Sequence, residues 1–142
     1  MKLTPAELLA GEQLLFSKNA NLLIHPSDYG MIRLLGVDRE ALGGKLHLTN
    51  YRLVFASHGV NRVVGQMSIF LPEILEVSDE SRGAVKRLRV KTETQKTDFI
   101  VWGIPSLIEQ IEQARAGLST GDMQIISEQL AARPETLGDG MI

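Results

Sequence analysis

A chain of 142 residues with 44% hydrophobic and 23% charged side chains has the composition of one globular domain, and those proportions fit neither a disordered nor a fibrous protein. With no cysteine there are no disulfides, thiolate nucleophiles or thiolate metal sites; no apolar run reaches the ~20 residues of a membrane-spanning helix, and Met1-Lys2-Leu3-Thr4-Pro5 opens no secretory leader. The formal net charge of −2 hides a segregation, because Arg82, Lys86, Arg87, Arg89, Lys91 and Lys96 face only Glu93 between residues 82 and 97, whereas the chain after Gly103 is rich in acids.

Thr4-Pro5-Ala6-Glu7 has the pattern of a short helix start, with Thr4 as N-cap, Pro5 in the first turn and Glu7 at the capping-box spacing; Gly11 ends it. A strand is expected from Gln13 to Ser17, then a break or bulge at Asn19-Ala20-Asn21, the apolar run Leu22-Leu23-Ile24, and a stop at His25-Pro26-Ser27-Asp28. Residues 29–42 are ambiguous: Ile32, Leu34, Leu35 and Val37 suit a strand, whereas Asp38 to Leu42 have helical propensity or form only a turn.

From Gly43 to Phe55 the pattern is sharpest. Leu46 and Leu48 alternate with Lys45 and His47, Thr49-Asn50 interrupts, and Tyr51, Leu53 and Phe55 resume the inward phase with Arg52 outward, which predicts a β-hairpin. These residues resemble the Gly-x-Leu-x-x-Thr-Asn-x-Arg-Leu-x-Phe signature of the GRAM domain family, within the pleckstrin-homology-like superfamily. The resemblance spans residues 11–115 and implies a mainly β fold, an antiparallel barrel or sandwich capped by a C-terminal helix. It also implies a binding module, and in such folds basic residues at the open end of the barrel bind inositol phosphates.

After a polar connection from Ser57 to Arg62, Val63 to Leu71 is expected as a strand, with Pro72 at a strand edge; Leu71-Pro72-Glu73-Ile74-Leu75-Glu76-Val77 resembles the family's turn into the next strand. Leu88 and Val90 alternate with Arg87, Arg89 and Lys91, giving one buried and one cationic face. Thr94 to Thr97 reads as a hairpin tip and Asp98 to Trp102 as a buried strand. Pro105 opens a helix whose stripe is Ile104, Leu107, Ile108, Ile111 and Ala114, ending at Gly117. Fold closure by that helix leaves a second one, Asp122 to Arg133, with Met123, Ile126 and Leu130 on a face without assigned burial, slightly favoured as a contact with another chain; Pro134 to Ile142 reads as a frayed tail. The expected organisation is an arm over 1–10, the GRAM-like domain over 11–117 and an extension over 118–142.

No cofactor or metal is expected, since His25, His47 and His58 form no ligand pair, and His47 reads as a solvated strand residue rather than a catalytic base. No nucleophile elbow or phosphate loop is present, so a non-enzymatic role is expected. Trp102 and Tyr51 read as core residues, and the base-stacking platform of a nucleic-acid binder is missing. The leading expectation is a cytoplasmic protein-interaction or scaffold module, self-association included. The alternative is peripheral binding of an anionic lipid or phosphoinositide head group by Lys86, Arg87, Arg89 and Lys91 with Lys45 and Arg52, although the first loop offers only Lys18 among Asn19 and Asn21.

Overall fold

Period-two alternation governs most of the chain, and the computed structural model, which describes residues 8–24, 40–57 and 66–132, arranges it as one antiparallel sheet followed by two helices. The strands are β1 (Leu14–Ile24), β2 (Glu40–Thr49), β3 (Arg52–Ser57), β4 (Gln66–Phe70), β5 (Glu76–Asp79), β6 (Arg87–Lys91) and β7 (Lys96–Ile100); the helices are α1 (Ile104–Ala116) and α2 (Thr120–Ala132). Their order across the sheet is β4-β3-β2-β1-β7-β6-β5. The sheet folds over on itself. Leu53, Phe55, Met67 and Ile69 from one end share a core with Leu88, Val90 and Phe99 from the other, and the Phe55 and Phe99 rings lie 5.9 Å apart.

α1 closes this core with Ile104, Leu107 and Ile111, three residues of the expected stripe, and ends at Gly117 as the sequence indicates. Gly103 precedes it with φ 74°, a left-handed conformation that a side chain resists, so the chain turns sharply out of the sheet there. α2 starts with a reciprocal cap: Asp122 N–H donates to Ser119 Oγ, and Ser119 N–H to Asp122 Oδ2, both at 3.0 Å. Its Ile126 is buried in a second, smaller cluster with Tyr51 and Phe70, joined by Leu9 and partly by Ile125 and Leu130.

The β2–β3 hairpin is present with Leu46, Leu48, Tyr51, Leu53 and Phe55 all buried. Its other face departs from expectation. His47 and Arg52, expected outward, are buried, as are Val54 and Ala56, so both faces of this hairpin are covered. At Gly44 a Cβ would stand 2.3 Å from the Ala56 carbonyl oxygen and 2.8 Å from the Phe55 ring, so β2 and β3 approach there as only glycine permits.

Other boundaries move for local reasons. β1 runs through Asn19-Ala20-Asn21 without a break, because both asparagines point to the polar face opposite Lys45 and Gly43 while Ala20 points inward; its one irregularity lies between Leu14 and Phe16. Glu40 to Leu42 belong to β2 rather than to a helix or turn, pairing with Leu22 to Ile24. Leu71-Pro72-Glu73 is a 3-10 turn with Pro72 in its first turn, where a missing N–H costs nothing, and not a strand edge. Lys96 and Thr97 belong to β7, so the tip of that hairpin is Thr92 to Gln95. The expected N-terminal helix start, the segment from His25 to Arg39, the connection from His58 to Gly65 with Val63, and the tail after Ala132 lie outside the described residues.

Candidate binding groove and the cationic residues

The signature residues of the hairpin turn build a closed structural lock. Thr49 Oγ1 accepts the Tyr51 and Arg52 amides at 3.0 and 2.9 Å and donates to Glu12 Oε2 at 2.6 Å. Arg52 grips the same carboxylate with two bonds, Nε to Oε2 at 2.8 Å and a second nitrogen to Oε1 at 3.1 Å, and donates to Ser68 Oγ at 3.0 Å. The Glu12 side chain is 0% exposed and that of Arg52 8%. Asn50 completes the lock, accepting the Gln13 amide at 2.7 Å and donating to Gly11 O at 3.1 Å. Arg52 thus lies inside the fold and away from the other cations named from the sequence.

Those cations are spread over three places. Arg87 and Arg89 project from β6 on the open face beside Asp98 of β7. Arg89 binds Asp98 through two bonds at 2.9 and 3.1 Å, and Arg87 Nε lies 3.8 Å from Asp98 Oδ2. The hydrogen bonds that Arg89 donates to Asp98, then the charge of that carboxylate, raise the Arg89 pKa further above its already high ordinary value. Lys91 stands opposite Lys96 beside the β6–β7 turn, with Glu76 of β5 on its other flank. Lys86 lies at the far end of β6, and Lys45 pairs across β1–β2 with Asn19. Of the apolar residues named on α2, Ile126 is buried within this chain, Leu130 is partly covered by the same cluster, and Met123 is exposed. The α2 face therefore divides, its centre packed on the Tyr51 corner of its own domain.

Two further residues are placed where alternation alone does not put them. His47, expected in solvent, is buried, with its Nδ1 2.6 Å from Ser17 Oγ of β1. Trp102, expected in the core, is 73% exposed. The inward phase of β7 ends with Val101, and Gly103 then turns the chain, so the indole falls on the outward phase of the departing strand.

Trp102 rims a groove of about 490 Å³ lined by Asn19 and Asn21 of β1, Gly43 and Gly44 of β2, Lys86 and Ile100, among others. Glycines on one wall let an incoming group approach the backbone, and the asparagine amides offer donors and acceptors on the floor. Lys18 Nζ donates to Trp102 O at 3.0 Å and fixes the indole-bearing segment against β1.

Two solved structures are similar to this chain in fold. The C-terminal domain of an unknown protein from Leishmania infantum is 22% identical with a TM-score of 0.53, over 75% of this chain and 87% of that one. The Vps36 N-terminal PH domain is 18% identical with a TM-score of 0.52, over 77% of this chain and 83% of its own. No family model matches the chain, and no curated protein does. With seven antiparallel strands among the described residues and the helix that closes their core, the chain has a pleckstrin-homology-like fold.

Proposed function

We propose that the chain is a non-enzymatic protein-recognition module of the GRAM type within the pleckstrin-homology-like fold. The observation that carries this is Trp102, a large aromatic side chain 73% exposed at the rim of a groove whose described lining combines small and amide residues with Lys86, Ile100 and Val101. Aromatic anchors of this kind dominate the energy of protein interfaces, and a monomer gains nothing by holding one in water. The GRAM reading is supported by the lock around Thr49, Asn50 and Arg52, which gives each polar residue of the signature a structural task. A cytoplasmic setting suits both readings, and it is compatible with self-association through Met123 and the exposed end of α2.

A photo-crosslinking side chain at Ala84, an exposed position on the groove, tests the reading in the full chain. A discrete protein adduct that disappears in the Trp102→Ala background, with the melting temperature unchanged, is the expected result. An adduct indifferent to Trp102, or none, overturns it.

A second reading, peripheral binding of an anionic lipid or phosphoinositide head group, is favoured by the Lys91–Lys96 pair. Like charges directly opposite each other on paired strands repel, and an anion between them relieves that cost. The β6–β7 turn next to this pair lies at the same end of the sheet as Ile24 of β1 and Ser57 of β3. Sedimentation with anionic vesicles should be weakened by Lys91→Glu with Lys96→Glu, and more so by salt; no sedimentation at low salt removes this reading.

A further inference from the structure

β1 is flanked by β2 along its whole length, from Leu14 to Ile24, but β7 accompanies it only at Asn21 to Leu23. The cause is the turn at Gly103, which carries the chain away into α1. From Leu14 to Ala20, among the described residues, no strand lies on the β7 side of β1. Leu14, Leu15, Ser17 and Asn19 along this stretch are exposed. A strand edge that no described strand covers is a template for another strand, and the groove beside Trp102 begins where β7 departs.

We propose, building on the reading of the chain as a protein-recognition module, that this edge accepts an extended acidic segment of a partner protein as an added strand, with one apolar side chain of the segment against Trp102. Charge complementarity selects the occupant. Among the described residues no aspartate or glutamate lines the groove, whereas Lys86 lies in its wall, Lys45 stands across the strand pair from Asn19, and Lys18 is on the uncovered stretch itself. A second copy is disfavoured by the same charges, because a two-fold pairing of β1 edges brings Lys18 toward its own equivalent. Strand addition supplies main-chain hydrogen bonds independent of sequence, and the indole and the lysines then select acidic segments with an apolar residue.

Selection of random dodecapeptides displayed on phage against the full chain tests this without a known ligand. Enriched peptides should be acidic with an apolar residue, and the Trp102→Ala protein should fail to enrich them. Trp102 is the only tryptophan, so synthetic versions of those peptides can be titrated by its emission, which should shift to the blue as the indole is covered. Affinity should fall about tenfold from low to physiological salt, and several-fold in Lys45→Gln with Lys86→Gln. N-methylation of the alternate peptide amides on one edge should abolish binding, while methylation of the other set should leave it intact. Enrichment of basic or neutral peptides, binding that survives Trp102→Ala, or insensitivity to both methylation patterns overturns the inference. If the Ala84 crosslink still captures a protein through Trp102 in those cases, the recognition reading stands and only the acidic-strand occupant falls.

Discussion

Arg52 and Arg89 each hold a carboxylate through two hydrogen bonds, yet they belong to different kinds of region. Around Arg52 the sheet is covered on both faces; Glu12 reaches it from 40 residues upstream, and Thr49 and Ser68 occupy further polar groups of the pair. Around Arg89 one face of the sheet is open, the arginine side chain is 24% exposed, and Asp98 serves Arg87 as well. The first arginine acts as part of the fold's interior. The second belongs to an open face whose positive charge Asp98 partly neutralises. The most recognisable motif of the sequence therefore explains how the chain folds, and the recognition proposed above is placed instead at the β1–β7 fork and Trp102.

Removing one partner from each pair should separate the two regions most widely. Glu12→Ala leaves a buried guanidinium without its carboxylate and should cost about 3 to 5 kcal/mol in urea unfolding. Exchanging both partners for apolar residues of similar size should recover much of that, because the cost lies in the orphaned charge. If Glu12→Ala costs as little as an exposed pair does, the hairpin half is no more closed than the β6 half.

Glycine substitutions repeat the comparison through sterics. Gly44→Ala forces a Cβ onto the Ala56 carbonyl, so β2 and β3 must separate, and about 1 to 3 kcal/mol should be lost. Gly83, in the turn between β5 and β6, has nothing within 4 Å of such a Cβ, and only its positive φ of 56° resists, for about 1 kcal/mol. Equal melting temperatures for the two variants would erase the steric contrast.

Asp98→Asn should cost less, on the order of 0.5 to 1 kcal/mol, because the pair with Arg89 is partly solvated, and the difference from wild type should shrink as salt is added. A cost near that of Glu12→Ala, or one indifferent to salt, would place Arg89 in the same class as Arg52.

What alternation could and could not disclose follows from this division. It reports which residues share a face, so Leu46, Leu48, Leu53, Phe55, Leu88 and Val90 were legible, as was the stripe of α1. It does not report whether the opposite face is covered. His47 and Arg52 were misplaced for that reason, since Ser17 and Glu12 meet them only in three dimensions. Asn19 and Asn21 resemble a break because paired asparagines favour turns, although two asparagines spaced by two residues also suit the polar face of a strand. Trp102 carried a usable signal: Val101 precedes it on the inward phase, and Gly103 with Pro105 marks a strand exit into a helix. Ser119 and Asp122, at capping-box spacing, likewise marked the start of α2.

The smallest effect concerns the bond that ties α2 to the hairpin half. The Tyr51 hydroxyl lies 2.7 Å from Ala10 O and 3.2 Å from Asp122 Oδ1, so one proton holds three segments together. The Ser119 amide, then the Ser119 hydroxyl and more weakly Tyr51, lower the Asp122 pKa; burial, then the bond to Asp122, raises that of Tyr51. The signs oppose. A lowered carboxylate pKa contributes stability that is present above its unfolded value and lost as pH falls through the folded one. A raised phenol pKa contributes stability that is present below its unfolded value and lost as pH rises through the folded one. Thermal stability should therefore show a plateau at neutral pH with a loss at each extreme. In Asp122→Asn the acid loss should diminish, its melting curve converging with that of the wild type at low pH, and in Tyr51→Phe the alkaline loss should diminish instead. Parallel profiles for all three proteins would show that α2 is held by the apolar cluster around Ile126, Tyr51 and Phe70, leaving the cap and the hydroxyl without influence on how the hairpin half is closed.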